Sequence, residues 1–199
     1  GQHMHFTKIN GEFRNTSFRQ DSIRSTISLN TKERSGLVVK KLAANMTMHP
    51  EAMEFANLDI QTNRSRLQNY FAMRYGSFND MSDFVSKVSM EGNFTEAALN
   101  SDDIAYFAPA LESWKKNIRI TGRIKGPVDN LVARNLIIEA GRDTYLNGTI
   151  TLRGLPAIDK TYIDFIANDF RTTYPDAVRL LPQVKNIQHP RLDKLEFVR

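Results

Sequence analysis

Ile118-Arg119-Ile120-Thr121-Gly122-Arg123-Ile124-Lys125 is the stretch that decides how this chain folds. In an extended backbone its isoleucines fall on one side and its cations on the other. That period of two marks a strand with one dry and one wetted face. Glycine takes the middle dry-side position, where a missing side chain lets a sheet curve or another backbone come close. The pattern apolar-x-Gly-x-apolar recurs at Ile9–Phe13, Met90–Phe94 and Leu146–Ile150, so Gly11, Gly92, Gly122 and Gly148 each thin one face of a strand. Repeated strands thinned in this way predict a mostly β protein built on a curved antiparallel sheet, with these four glycines setting the curvature.

Working outward, Val38 to Met48 alternates as a strand, followed by a turn at His49-Pro50-Glu51, a strand from Phe55 to Gln61 and a turn at Asn63-Arg64-Ser65. Leu67 to Tyr75 returns and Gly76 ends it. After a polar linker, Phe84 to Phe94 reads as the next strand. The same order of events resumes at Ile118, with turns at Gly126–Asn130 and Gly141–Asp143 and a break at Gly154-Leu155-Pro156. Asn57-Leu58 matches Asn135-Leu136, Gly76 matches Gly154, and Phe84 and Val88 match Tyr162 and Ile166, each pair 78 residues apart. Repeat units at about 38–94 and 118–170 imply an elongated architecture whose units do not bury their apolar faces alone. Chance matching between two meandering segments is the alternative.

Two short helices are expected. Asp102-Asp103 begins one that Pro109 ends, and Thr173 caps another with Pro175 in its first turn. Both suit the covering of an open sheet end, because bare edges invite aggregation. Gly1-Gln2-His3-Met4 reads as a tag-cleavage scar, and residues 5–199 as a single β segment. Leu192, Leu195 and Phe197 begin a further alternating strand that stops at Arg199, so the segment is expected to be cut from a longer protein.

The 199 residues contain no cysteine, which excludes disulfides, thiolate metal sites and a cysteine nucleophile. A hydrophobic fraction of 41% is low for a closed core and fits a sheet with one wetted face. No apolar run reaches about 18 residues, the length of a membrane-spanning helix. The net charge is +5. Its one local cluster, Lys115, Lys116, Arg119, Arg123 and Lys125, lacks the interleaved aromatics of a nucleic-acid surface, so no nucleic-acid partner is expected.

A search for chemistry returns little. His5, His49 and His189 have no ligand spacing, and Asp102-Asp103 lacks the further oxygens that calcium needs. Phosphate loops, nucleophile elbows and H-E-x-x-H motifs are absent. The chain therefore reads as non-enzymatic, with no cofactor, metal or catalytic residue. Its distinctive feature is an apolar stripe: Leu42, Met46, Leu58, Ile60, Leu67, Phe71, Met73, Val88, Met90, Phe94, Ile118, Ile120, Ile124, Leu136, Ile138, Leu146, Ile150 and Leu152. The stripe fits an ordinary sandwich or barrel core. The sharper reading, behind that plain one, is an open trough for acyl chains, for which flexible methionine is a suitable lining.

Asp102 to Leu111, Ile120-Thr121-Gly122-Arg123-Ile124-Lys125-Gly126-Pro127-Val128-Asp129-Asn130-Leu131 and Leu152-Arg153-Gly154-Leu155-Pro156, in that order and spacing, resemble the TamB family, more narrowly its Bacteroidetes-type members. The similarity extends over most of residues 36–199. It implies a β-taco with an apolar inner surface, related to AsmA-like and bridge-like lipid-transfer proteins. The full-length protein would be anchored in the inner membrane, cross the periplasm and meet an outer-membrane partner of the BamA superfamily. The family is implicated in moving phospholipid to the outer membrane and in assembling β-barrel proteins there. The resemblance thus implies an internal periplasmic segment that shields phospholipid acyl chains. The alternative is a scaffold that takes strands of nascent outer-membrane proteins by β-augmentation.

Overall fold

The computed structural model describes residues 6–33, 36–105, 116–157 and 160–180. Ten strands run in chain order: β1 (Phe6–Arg19), β2 (Ser22–Glu33), β3 (Val38–His49), β4 (Ala52–Gln61), β5 (Arg66–Arg74), β6 (Ser89–Asn100), β7 (Asn117–Gly126), β8 (Asn130–Ala140), β9 (Thr144–Arg153) and β10 (Tyr162–Arg171). They form one antiparallel sheet whose spatial order is the chain order. Each strand packs against its sequence neighbours, and among the described residues β1 and β10 are the outermost strands. The protein is thus an elongated, curved, single-layer sheet.

The curvature has a local cause. From β3 to β10, every strand pair shifts register within the same band, between Ala43 and Asn45, Ala56 and Leu58, Arg66 and Asn69, Phe94 and Ala97, Thr121 and Arg123, Ala133 and Leu136, and Ala167 and Asp169. Each such bulge bends its strand and increases its twist. Stacked side by side, they crease the whole sheet along a line perpendicular to the strands. Asparagine supplies the left-handed backbone at two of them, with φ of 52° at Asn57 and 49° at Asn135.

Burial follows the crease. Ile27, Ala44, Leu58, Phe94, Ala97, Ala133 and Leu136 are buried beside it on the apolar face, whereas Leu37, Tyr75 and Val88 are buried next to strand ends and the small Ala52 and Ala72 among the side chains of the other face. In a single layer, a large side chain on the convex side has nothing to cover it. The apolar face is therefore the concave one, and the core of this protein is the floor of a trough.

Laid over each other by register, the two halves do not keep a single offset. Leu58 faces Asn69 as Leu136 faces Gly148, and Phe71 faces Gly92 as Ile150 faces Phe165. β8 thus follows β4 by 78 residues, β9 follows β5 by 79, and β10 follows β6 by 73. The offset grows by one at the longer turn around Gly141. It then falls by six because the β5–β6 connection carries a 3₁₀ turn (Phe78–Asp83) and α1 (Phe84–Lys87). Two expectations are corrected here. Phe84 does not open a strand but a helical turn, with β6 starting at Ser89, so Phe84 and Val88 are not the equivalents of Tyr162 and Ile166. Gly76 and Gly154 likewise fall one residue out of step.

Each copy ends in a short helix, α2 (Ser101–Ala105) after β6 and α3 (Tyr174–Leu180) after β10. Each helix sends a buried aspartate back to an earlier turn, α2 to the one between β4 and β5 and α3 to the one between β8 and β9. The Asp103 carboxylate accepts the Thr62 hydroxyl at 2.5 Å and the Arg64 amide at 3.0 Å. Asp176 accepts the Arg142 and Asp143 amides at 2.8 and 2.6 Å. The two aspartates are 73 residues apart, the offset of the strands that precede them. The strand expected around Leu192, Leu195 and Phe197, the continuation of the first helix to Pro109, and His5 and His189 lie outside the described residues.

Candidate functional site

The register sorts the apolar face into rungs that cross the sheet. The innermost runs Met46–Phe55–Phe71–Gly92–Ile124–Ala133–Ile150–Phe165, each residue directly opposite the next. Across the crease, Leu58–Asn69–Phe94–Gly122 and Leu136–Gly148–Ala167 form the other side of the floor. One wall carries Leu29–Leu42–Ile60–Leu67 and Ala97–Ile120–Ile138–Leu146–Phe170, topped by Leu99–Ile118–Ala140. The opposite wall carries Phe18–Ile23–Met48–Met53–Met73–Met90, and then Leu131–Leu152–Ile163.

Every residue of the expected stripe except Val88 thus stands on one face. Val88 closes α1, with its amide on the Phe84 carbonyl at 3.3 Å, and is fully buried just outside β6. The expected glycines also lie on this face. The ring of Phe94 occupies the space over Gly92, and the ring of Phe165 crowds Gly148. At Gly122, with φ of 154° in the bulge, the β8 backbone at Leu136 comes close, and at Gly11 the side chain of Leu29 does so.

Phe55, Met53 and Ala133 belong to the face but do not follow from alternation. Counted in steps of two, Phe55 sits opposite to Leu58. The bulge at Asn57 inserts one residue and brings both to the same side. Asn135 does the same for Ala133 and Leu136. An Asn-Leu pair at both places is the only sequence signal for it. The row of four methionines, Met48, Met53, Met73 and Met90, is visible only in the register. Their half-buried thioethers give one wall an apolar, polarizable and deformable surface.

The other face is polar and ion-paired. Arg74 links Glu54 at 3.1 Å to Glu91 at 3.3 Å, Arg119 meets Glu139 at 3.1 Å, and Asp59 is held by Lys41 at 2.7 Å and Arg66 at 3.0 Å. The Arg66 guanidinium, followed by Lys41, holds the Asp59 carboxyl at about 2, well below the usual carboxylate range. Cross-strand pairs of this kind keep the convex surface in water and fix which face is which.

Among the described residues, no second layer packs over the apolar face of the trough. Nine strand spacings of about 4.8 Å give it a length of roughly 43 Å. Among the described residues, no group of three or more His, Asp or Glu side chains converges as a metal site would require. No helix among them is long and apolar enough to cross a membrane. Compared with family models, curated proteins and solved structures, the chain matches none of them. Fold and face together define the class: an open, single-layer β-trough with a dry concave side.

Proposed function

We propose that this chain is a non-enzymatic segment of a lipid conduit, whose trough shields phospholipid acyl chains as they pass between membranes. The observation that carries it is the apolar face that runs from β3 to β10, interrupted in its floor only by Asn69, buried along the crease and uncovered among the described residues. Each methylene moved from water to such a face gains about 0.8 kcal/mol, so one long acyl chain gains of the order of 10 kcal/mol. The resemblance to TamB supports a periplasmic setting, in a longer chain that reaches an outer-membrane partner of the BamA superfamily.

Native mass spectrometry with lipid extraction, on protein made in a bacterial host, tests this reading. Phospholipid should co-purify. Met90→Asp and Ile120→Asp, which charge the two walls, should strip it, while Thr151→Asp on the convex face of β9 should not. Lipid-free wild-type protein, or lipid retained in both wall variants, would sink the proposal.

A second reading rests on the edges. Ile9, Phe13 and Phe18 on β1, and Tyr162, Ile163 and Ile166 on β10, are more than half exposed. Among the described residues each of these strands is paired on one side only, so a strand of a nascent outer-membrane protein fits there by β-augmentation. Proline at Ile166 would weaken strand addition and leave lipid loading unchanged. The reverse result would discard this reading.

A further inference from the structure

The rim that carries α2 and α3 has a notch of about 470 Å³ between the two copies of the repeat. Its trough side is apolar, formed by Leu99, Ile118 and Ala140, and its outer side carries Arg64, Arg119 and Arg142. That volume lies in the range of small-molecule sites, about 300–1,000 Å³. Here apolar wall and cations meet at the height where the tail of an amphiphile ends and its headgroup begins.

The three arginines are not equivalent. Arg64 is paired with Asp102, and Arg119 with Glu139 at 3.1 Å. Among the described residues, the Arg142 guanidinium has no ion pair or hydrogen bond, although its position is tightly set. Its own amide and that of Asp143 are held by Asp176, which is 1% exposed on α3. An unpaired cation on a turn pinned by a buried carboxylate is presented to the notch without loss of backbone freedom on binding. Guanidinium is also the side chain whose fork matches the oxygens of a phosphate ester. Glu139 and Asp143 add carboxylates to the same lining, so the notch carries both signs, as a zwitterionic headgroup does.

We infer that this notch is a headgroup station, in which Arg142 receives the phosphodiester of a zwitterionic phospholipid while its acyl chains lie along the trough. The inference rests on the conduit reading and adds to it a fixed resting place and a preference. A tail alone slides along an apolar floor. A phosphate anchored at the boundary between repeats stops it in register.

The test loads the full chain from mixed micelles holding equal amounts of phosphatidylethanolamine and a diacylglycerol with the same acyl chains, and counts bound lipid by native mass spectrometry. Wild-type protein should prefer the phospholipid by about tenfold, the factor that one charge-assisted hydrogen bond supplies. Arg142→Glu should abolish the preference and Arg142→Gln should reduce it, with total lipid unchanged. Arg153→Glu, at the opposite end of β9, should leave it intact. Equal uptake of both lipids by the wild type, or an unaltered preference in Arg142→Glu, overturns the station and leaves the trough standing. Uptake of neither lipid overturns both. Arg142-dependent binding of glycerophosphoethanolamine alone, as tight as that of the lipid, would make this a site for a soluble phosphodiester and overturn the lipid assignment.

Discussion

The ring of Phe94 covers the bare face of Gly92: a Cβ built there would stand 2.7 Å from ring atoms Cε2 and Cζ and 2.8 Å from Ile124 Cγ1. The glycine is thus filled space rather than a gap, and the floor of the trough is close-packed at this point within a single layer. At Gly148 the obstacle is different, because a Cβ would run into the carbonyl oxygen of Ile166 on the neighbouring strand.

That contrast orders two substitutions. Gly92→Ala asks a phenylalanine ring to swing and should cost less than about 1 kcal/mol, whereas Gly148→Ala pushes β10 off β9 and should cost about 1–3 kcal/mol. Urea denaturation of the two variants checks the order. Equal losses would show that β10 is not held at that point.

Acid should weaken the protein below pH 4. Asp59 is held at about 2 by Arg66 and Lys41. Burial raises Asp176, but the amides of Asp143 and Arg142 together with the Arg179 charge outweigh it, and the net shift is downward. Both carboxyls are more acidic folded than unfolded. Their contribution is therefore complete above the ordinary value of 3.8 and is lost as pH falls towards 2. The arginine and lysine around Asp59 are half-exposed, so Asp59→Asn should cost about 1 kcal/mol at neutral pH and flatten the stability curve between pH 4 and 2. Asp176→Asn should act in the same direction and also loosen the 141–143 turn, which hydrogen exchange at the Arg142 and Asp143 amides would report. An unchanged acid slope in both variants would refute the assignment.

The methionine wall makes lipid loading sensitive to oxidation. Sulfoxides at Met48, Met53, Met73 and Met90 would line a polar strip along four consecutive strands. Mild peroxide should therefore expel most of the bound lipid. The fourfold Met→Leu variant should load normally and resist peroxide. If the variant loses lipid as the wild type does, the oxidised residues that matter lie elsewhere.

Much of this protein is legible in its sequence because strand geometry is local. Ile118, Ile120 and Ile124 alternate with Arg119, Arg123 and Lys125, and no partner is needed to say that one face is dry. The Asn-Leu pairs, the turns at Asn63–Ser65 and Gly141–Asp143 and the glycines reveal a repeat in the same way. The helical turn at Phe84 is not legible, because Phe84-Val85 and Val88 also suit a strand, and what decides is a connection that must span from β5 to β6.

Register is not local. Which residue stands opposite which is set by hydrogen bonding between strands, and one bulge reverses every side chain beyond it. That is why Phe55 joins Leu58 on the floor, why four methionines from four strands line up, and why Arg142 is pinned by Asp176, 34 positions further along the chain. The amino-acid sequence by itself determined a one-sided, curved, repetitive sheet. Only the tertiary structure decided that its bulges align into a single crease, because alignment is a relation between strands and no single strand carries it.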